Sequence, residues 1–454
     1  MRALYGTIRV ERLSPPVASR LMGYATTALY AGYVAADPAL APLDGTLNGL
    51  PALPRATRAK TLDGARVAQA AVRLVLDSML AQGLPTTRAA LARLADSLSA
   101  SGVLSRGLGA SDAVLERSDS VGRKIALAIL KWAREDGFNR TRTMPAYRHP
   151  IGPGFWANDA PATTFTSQSI SGATELITPN NPANHLRDSN TSDRALILGR
   201  PKAAGVTSVP AVNMAGISEP YWGQVRPFVL DRWDSCPVES PPPYSTDRAS
   251  VLHANAQQVV DIKASLTAEQ RTIALYWADN AGESGTPVGH WIAIASQMVS
   301  QRNLAAAEAA RVMMVTAVAQ ADALIASWGY KYKFNLIRPR SYIRQVIDPL
   351  WEPLIPTPPF PEYPSGHSTL SAAAATALAG LLGEVGFDDS TSTSIGHSVR
   401  RFPSFMAAAL EAGMSRIYGG IHFEVGSRSG RDLGVCIGNR VLARAAGLRG
   451  AVPR

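Results

Sequence analysis

Apolar positions along this chain recur with helical spacing in most of its length and with strand spacing almost nowhere. Residues 14–36 open on Ser14-Pro15-Pro16, a helix entry, and continue apolar. Over residues 63–82, Val67, Ala70, Ala71, Leu74, Val75 and Met79 keep the helical period up to a Gln82-Gly83 stop. Further helices are predicted from Pro85 to about Ser101 and from about Ser111 to Asp136, where Gly137 supplies a C-cap. The pattern resumes at Thr246–Ser265, Thr267–Ala281, Gly289–Arg302 and Asn303–Lys331. In the last of these, Met314, Val318, Ala321, Ile325 and Trp328 alternate steps of four and three, the seam of a helix bundle. Helices at about Ser368–Val385, Ile395–Met414 and Gly426–Ala446 complete the set. With no strand-like alternation and no short repeat, the predicted class is all-α.

Between about Asn139 and Tyr244 the periodicity fails, and Pro, Gly, Asn, Ser and Trp take over. The interspersed Trp, Phe and Tyr predict ordered loops packed over helices rather than a free linker. The chain therefore divides into an N-terminal helical bundle (1–138), a loop-rich connection (139–245) and a C-terminal bundle (246–454).

Composition changes the picture in three respects. At 454 residues, 46% of them hydrophobic and 18% charged, the chain can bury broad helix faces. The formal charge of +10 comes from scattered arginines with no basic run, which suits small anions and argues against nucleic acid. Apolar stretches such as Ala305–Trp328 carry charges or are mainly alanine, so a soluble protein without membrane insertion is expected. No signal-peptide pattern opens the given chain, and its compartment stays open. Cys236 and Cys436 make neither a disulfide scaffold nor a zinc pattern and read as two unrelated thiols in preference to one bridge.

The candidate chemistry gathers in the C-terminal half. Pro364-Ser365-Gly366-His367 leads into an alanine-rich helix, whose free N–H groups favour an oxyanion. Gly366 would admit the anion closely, Ser365 could donate a hydroxyl, and His367 could carry a proton. Lys331 and Arg338 lie upstream, and Arg416 and His422 follow around the Gly419-Gly420 bend. Three cations, two neutral donors and two histidines suit a tetrahedral oxyanion, arginine's planar fork being its best single donor. The other histidines, His149, His185, His253, His290 and His397, show no metal-ligand spacing; His290 is expected to be structural.

Taken together, Lys331-x6-Arg338-Pro339, Pro364-Ser365-Gly366-His367 and Ser415-Arg416-x5-His422 resemble the vanadium-dependent haloperoxidases and the type 2 phosphatidic acid phosphatase superfamily that shares their site. Weaker similarity at Leu13–Pro16, Tyr221–Phe228 and Gly285–Trp291 extends the resemblance to the soluble bacterial haloperoxidase-like branch. The resemblance implies vanadate as cofactor, with no haem or flavin. It would be bonded to His422, the metal ligand, and held by Lys331, Arg338, Ser365, Gly366 and Arg416. His367, His422 and Lys331 would be catalytic. Hydrogen peroxide, a halide (bromide, with chloride as a further candidate) and a small organic molecule would be the substrates, and helix faces could pair a homo-oligomer. Trp328 and Phe360 match positions lining the halide side; phenylalanine at the second goes with the chloride-oxidising pattern, histidine with bromide preference. Many members place an aspartate four residues after the metal-bound histidine. Here that position is Gly426, so Glu424, Asp432, a carboxylate from elsewhere such as Asp279, or a backbone carbonyl would have to hold the second ring nitrogen of His422. Two alternatives share the motif: a soluble acid phosphatase working through a phosphohistidine on His422, and a non-catalytic oxyanion-binding protein.

Overall fold

A computed structural model describes residues 2–58, 60–81, 83–100, 111–158 and 217–448, and two short strands at 166–168 and 174–176. Fourteen α-helices run in chain order through the described residues. The first six are α1 (Arg2–Val10), α2 (Pro15–Ala36), α3 (Gly64–Met79), α4 (Pro85–Ala100), α5 (Asp112–Arg134) and α6 (Phe138–Thr143). After the loop-rich connection come α7 (Val251–Ala264), α8 (Ala268–Tyr276), α9 (Thr286–Gln301), α10 (Ala306–Phe334), α11 (Pro339–Val346), α12 (Gly366–Leu382), α13 (Phe405–Tyr418) and α14 (Glu424–Ala445).

Side-chain caps set many of the starts. Ser14, Asp63, Ser250, Ser365 and Ser404 each accept a backbone N–H three residues on, and Thr267 with Gln270 closes a capping box at α8. Helix α10 is the hub. It packs against α2 from the N-terminal stretch and against α9, α12 and α14, so one apolar core runs continuously from Leu4 to Leu448. By length and composition α10 could cross a membrane, which the sequence reading denied to every stretch; 94% of its most apolar window is buried by protein, as befits a core helix. Helix α14 lies unusually close to α12 because glycines line its contact face. A Cβ at Gly430 would stand 2.6 Å from the Ser365 carbonyl, one at Gly434 would overlap the Thr369 carbonyl, and one at Gly438 would stand 2.6 Å from Thr376 Cβ. A second, smaller core gathers Tyr342, Tyr363, Ile417 and Phe423. Phe360 packs against the first core and Tyr363 belongs to the second, so the turn that carries them touches both.

Several expectations need correction. Cys236 and Cys436 form a disulfide with Cα atoms 6.1 Å apart, tying the loop before α7 to α14. Proximity across 200 residues is set by the fold and leaves no mark in local spacing. Strands do occur: Thr166–Gln168 pairs with Thr174–Leu176, and Phe387–Asp389 with Arg400–Phe402, both antiparallel. At three residues each they are too short to show alternation. The second hairpin occupies the predicted start of the helix at Ile395, so α13 begins only at Phe405, under its Ser404 cap. Helix α7 likewise starts late, after the Ser250 cap, and α9 starts early, with Pro287 in its first turn. Helices α1, α6 and α11 were not anticipated, being only nine, six and eight residues long. Of the loop-rich middle, Trp156, Trp222, Phe228, Val229 and Leu230 are buried, as aromatic loops packed over helices require. Apart from the two strands, residues 159–216, His185 among them, lie outside the described residues.

Candidate functional site

Three segments deliver the candidate residues to one buried place. The last turn of α10 carries Lys331; αL backbone at Asn335 ends that helix and starts the crossing to Arg338, the N-cap of α11. The Phe360–Ser365 turn contributes Ser365 as N-cap of α12, with Gly366 and His367 in its first turn. The end of α13 carries Arg416, and the left-handed Gly420 reverses the chain toward His422. Lys331, Arg338, Ser365, Arg416 and His422 are all buried.

The cations are anchored on backbone carbonyls. Lys331 Nζ donates to the carbonyls of Pro361 (3.0 Å) and Glu362 (2.8 Å). Arg338 donates through Nε to Phe360 O (2.8 Å) and through Nη1 to Ile421 O (2.8 Å), while its Nη1 also lies 3.1 Å from His422 Nε2. Arg416 donates through Nη1 to Trp277 O (2.6 Å). What remains is a set of buried nitrogens with no partner among the described residues: Arg338 Nη2, Arg416 Nε and His367 Nε2. Buried polar nitrogens are rarely left unmatched: the two arginine N–H groups define the face an anion would satisfy, and His367 Nε2 is left free to exchange a proton. Gly366 opens that face: a Cβ there would come within 3.0 Å of the Trp328 ring and 3.8 Å of Lys331 Cε. Ser365 Oγ accepts from Ser368 N (3.3 Å) and Ser368 Oγ (3.1 Å), which leaves its own hydrogen free to donate.

Electrostatics agree with the geometry. Burial, and then the charge of Arg338, pull the Lys331 pKa well below the usual ammonium value. Burial likewise pulls Arg338 down to about 9 and Arg416 to about 10. Three cations are crowded out of water, Lys331 and Arg338 facing the Glu362 carboxylate and Arg416 feeling that of Asp279, a charge set that suits an anion. Burial pushes Glu362 up to about 7 against the pull of Lys331 and Arg338. Both histidines are held neutral, well below the ordinary imidazole value: His422 by burial and then Arg338, His367 by burial and then Arg416. The Trp277 backbone, which anchors Arg416, also hydrogen-bonds His367.

The structure thus brings Lys331, Arg338, Ser365, Gly366, His367, Arg416 and His422 together, and it adds Trp328 and Phe360. Those two rings sit 4.9 Å apart, with the Phe360 ring 5.1 Å from Lys331 Nζ and 4.8 Å from Arg338 Cζ. The partner of His422 is a carboxylate from elsewhere in the chain, but not Glu424, Asp432 or Asp279. Glu362 Oε1 lies 2.7 Å from His422 Nδ1 and also accepts from Phe423 N at 3.0 Å. Sixty residues separate the pair, and only a glutamate within the 361–365 turn hinted at it. His290, expected to be structural, stacks on Trp277 at 4.4 Å between Asp279 (3.0 Å) and Asp389 (2.8 Å). It thus props the residue that anchors Arg416 and His367. The Asp279 carboxylate, one of the candidates for His422, is committed to His290 instead.

Residues 311–450 match a family model described as the VCPO second helical-bundle domain. Among solved structures, the first bacterial vanadium-dependent iodoperoxidase is similar at 30% identity and a TM-score of 0.78, covering 98% of this chain and 94% of that one. The holo form of a bacterial vanadium-dependent chloroperoxidase is similar at 16% identity and a TM-score of 0.64, covering 97% and 94%. The apo form of a bacterial vanadium-dependent chloroperoxidase matches at 17% and 0.62, covering 96% and 95%. No curated protein matches the chain.

Proposed function

The chain belongs to the vanadium-dependent haloperoxidase family, and on that footing we propose that its buried cage holds vanadate and oxidises halide with hydrogen peroxide. The observation that carries this reading is the set of unmatched nitrogens, the donors Arg338 Nη2 and Arg416 Nε and the acceptor His367 Nε2, beside His422 in a cluster of three buried cations. Its donors and its excess of positive charge fit a vanadate-sized oxyanion.

In this reading His422 Nε2 is the metal-ligating atom, and Arg338, Arg416, Lys331, Ser365 and the Gly366 N–H hold the surrounding oxygens. Bound vanadate supplies a Lewis-acidic centre that activates hydrogen peroxide toward attack by halide. His367, neutral before the reaction, would take a proton from incoming peroxide at Nε2 and could give it up again as the reaction proceeds. With an oxyanion beside it, Lys331 would be favoured in its charged form despite its burial and would stabilise negative charge developing on the reacting oxygens. Trp328 and Phe360 form the apolar wall on which the halide sheds water. Hypohalous acid, or its equivalent, then halogenates a small organic acceptor.

Iodide, named for the 30% identical relative, and bromide are the proposed substrates. Chloride, the hardest of the three to oxidise, is the demanding case that Phe360 would govern. The test is direct. Full-length protein loaded with orthovanadate should iodinate and brominate an indicator dye with peroxide, and His422→Ala and His367→Ala should abolish turnover. No gain on adding orthovanadate, with rapid hydrolysis of para-nitrophenyl phosphate instead, would replace this reading with the phosphatase one.

A further inference from the structure

His422 faces two unlike neighbours. On one side Nδ1 lies 2.7 Å from Glu362 Oε1, which accepts; on the other Nε2 lies 3.1 Å from Arg338 Nη1, which donates. A neutral imidazole owns one N–H and one lone pair. Both contacts are satisfied together only when the proton sits on Nδ1 and the lone pair on Nε2.

Glu362 is held through its backbone and through Oε1, while Oε2 has no hydrogen-bond partner among the described residues. Its carbonyl accepts from Lys331 Nζ at 2.8 Å, its N–H donates to Leu336 O at 3.1 Å, and Oε1 also takes the Phe423 N–H at 3.0 Å. The carboxylate fits only because position 426 lacks a side chain. A Cβ on Gly426 would overlap Oε1 and stand 2.7 Å from Oε2 and 2.8 Å from Cδ. Helix α14 cannot simply retreat to make room, since the Gly426 carbonyl accepts from Ser365 N at 2.9 Å and so ties the helix to the anion-binding turn.

We propose that Glu362 is the positioning residue of the oxyanion centre: seated in the space left by Gly426, its carboxylate fixes His422 with the proton on Nδ1 and the Nε2 lone pair available to the ligand. This deepens the reading above, because it takes Nε2 as the atom that meets the oxyanion. The carboxylate behind the ring also makes Nε2 a stronger electron donor, an effect outer partners of ligating histidines exert generally.

Two readouts separate this role from a merely structural one. The first is ¹⁵N NMR of the His422 ring in the vanadate-free protein; the second is orthovanadate affinity by titration calorimetry. Wild type should carry the proton on Nδ1. Glu362→Ala should lose that preference and bind orthovanadate about 10–100-fold more weakly. In Glu362→Gln the Phe423 N–H holds the amide oxygen toward the ring, so the tautomer should survive while affinity still falls, by about 10-fold. Gly426→Ala should weaken binding in the wild-type background and add nothing to Glu362→Ala. Should Glu362→Ala fail to fold, Glu362→Gln and Gly426→Ala decide. A wild-type proton on Nε2, or orthovanadate affinity within twofold of wild type in both of those variants, overturns the proposal. If wild type binds no orthovanadate, the vanadate reading falls, yet the tautomer in wild type against Gly426→Ala still decides the role of Glu362: loss of the Nδ1 preference supports it, and no change refutes it.

Discussion

Arg338 and Arg416 each commit part of a guanidinium to backbone carbonyls and leave one buried nitrogen unmatched, Nη2 in the first and Nε in the second. That division dictates the cost of replacement. Lysine at 416 has one head group, which cannot hold the Trp277 carbonyl and reach an oxyanion from a second edge. Arg416→Lys should therefore weaken orthovanadate binding at least about tenfold, in line with the loss of a charge-assisted hydrogen bond of about 1.5–3 kcal/mol, as titration calorimetry would show. Phe360 is the second residue with a distinct expectation. Its ring rests against both Lys331 and Arg338, so it shapes the apolar wall and tempers the cations behind it. Phe360→His should lower the chloride-to-bromide rate ratio several-fold; an unchanged ratio, with the two halides assayed side by side, would remove the ring from halide selection. Residue identities at the cage were legible because the motif keeps donors of fixed type at fixed spacing. The Glu362–His422 pair was not, because a carboxylate reaching back across 60 residues obeys no local period.

At the scale of elements, two contacts hold the cage in shape. One is His290 on α9, which bridges Asp279, after α8, and Asp389 of the second hairpin, with the Tyr276 and Trp277 rings packed against it. Burial alone would lower the His290 pKa, but the two carboxylates outweigh it and hold the pKa up to about 10. Asp389 shifts the opposite way: His290 draws it below the usual carboxylate range although burial opposes. A raised histidine pKa contributes stability that is complete below the unfolded value of about 6.5 and is lost as pH climbs through about 10. Denaturant unfolding should thus show stability dropping by a few kcal/mol between pH 7 and pH 10, with His290→Asn removing much of that slope. The same variant leaves two buried carboxylates facing each other without their cation, a defect worth about 3–5 kcal/mol near neutral pH. The other contact is the glycine face of α14. Alanine normally favours a helix interior over glycine by about 1 kcal/mol, yet a Cβ at 434 would overlap the Thr369 carbonyl and stand 2.8 Å from Ala372 Cβ. Gly434→Ala should destabilise by about 1–3 kcal/mol, read as a lower denaturation midpoint at unchanged slope. A gain in stability would mean that α12 and α14 separate more readily than their contact implies.

For the molecule as a whole, period and caps carried most of the architecture. The bundle seam in α10, the Ser14 and Ser365 caps and the Gly-Gly bend before His422 are local signals, and each marks an element or turn that the structure contains. What escaped was either too short to repeat, as in α11 and the 387–402 hairpin, or non-local, as in the thiol pair. Cys236 lies in the loop that covers α10, where its carbonyl accepts from Tyr330 OH at 2.9 Å, and Cys436 lies on α14. The bridge therefore joins the loop-rich connection to the helix whose first residues border the cage. It closes a loop of 200 residues, and a cross-link of that span raises stability mainly by restricting the unfolded chain, typically by about 2–4 kcal/mol. Because the bridge acts on the unfolded ensemble, losing it should leave the folded cage as it is. Cys236→Ser/Cys436→Ser should melt lower than wild type without reductant, and dithiothreitol should lower wild type to match. Orthovanadate affinity of the double variant, measured at 25 °C without reductant, should stay within twofold of wild type. A large loss of affinity at unchanged melting temperature would show instead that the bridge holds α14, and with it Gly426 and Glu362, in register with the anion-binding turn.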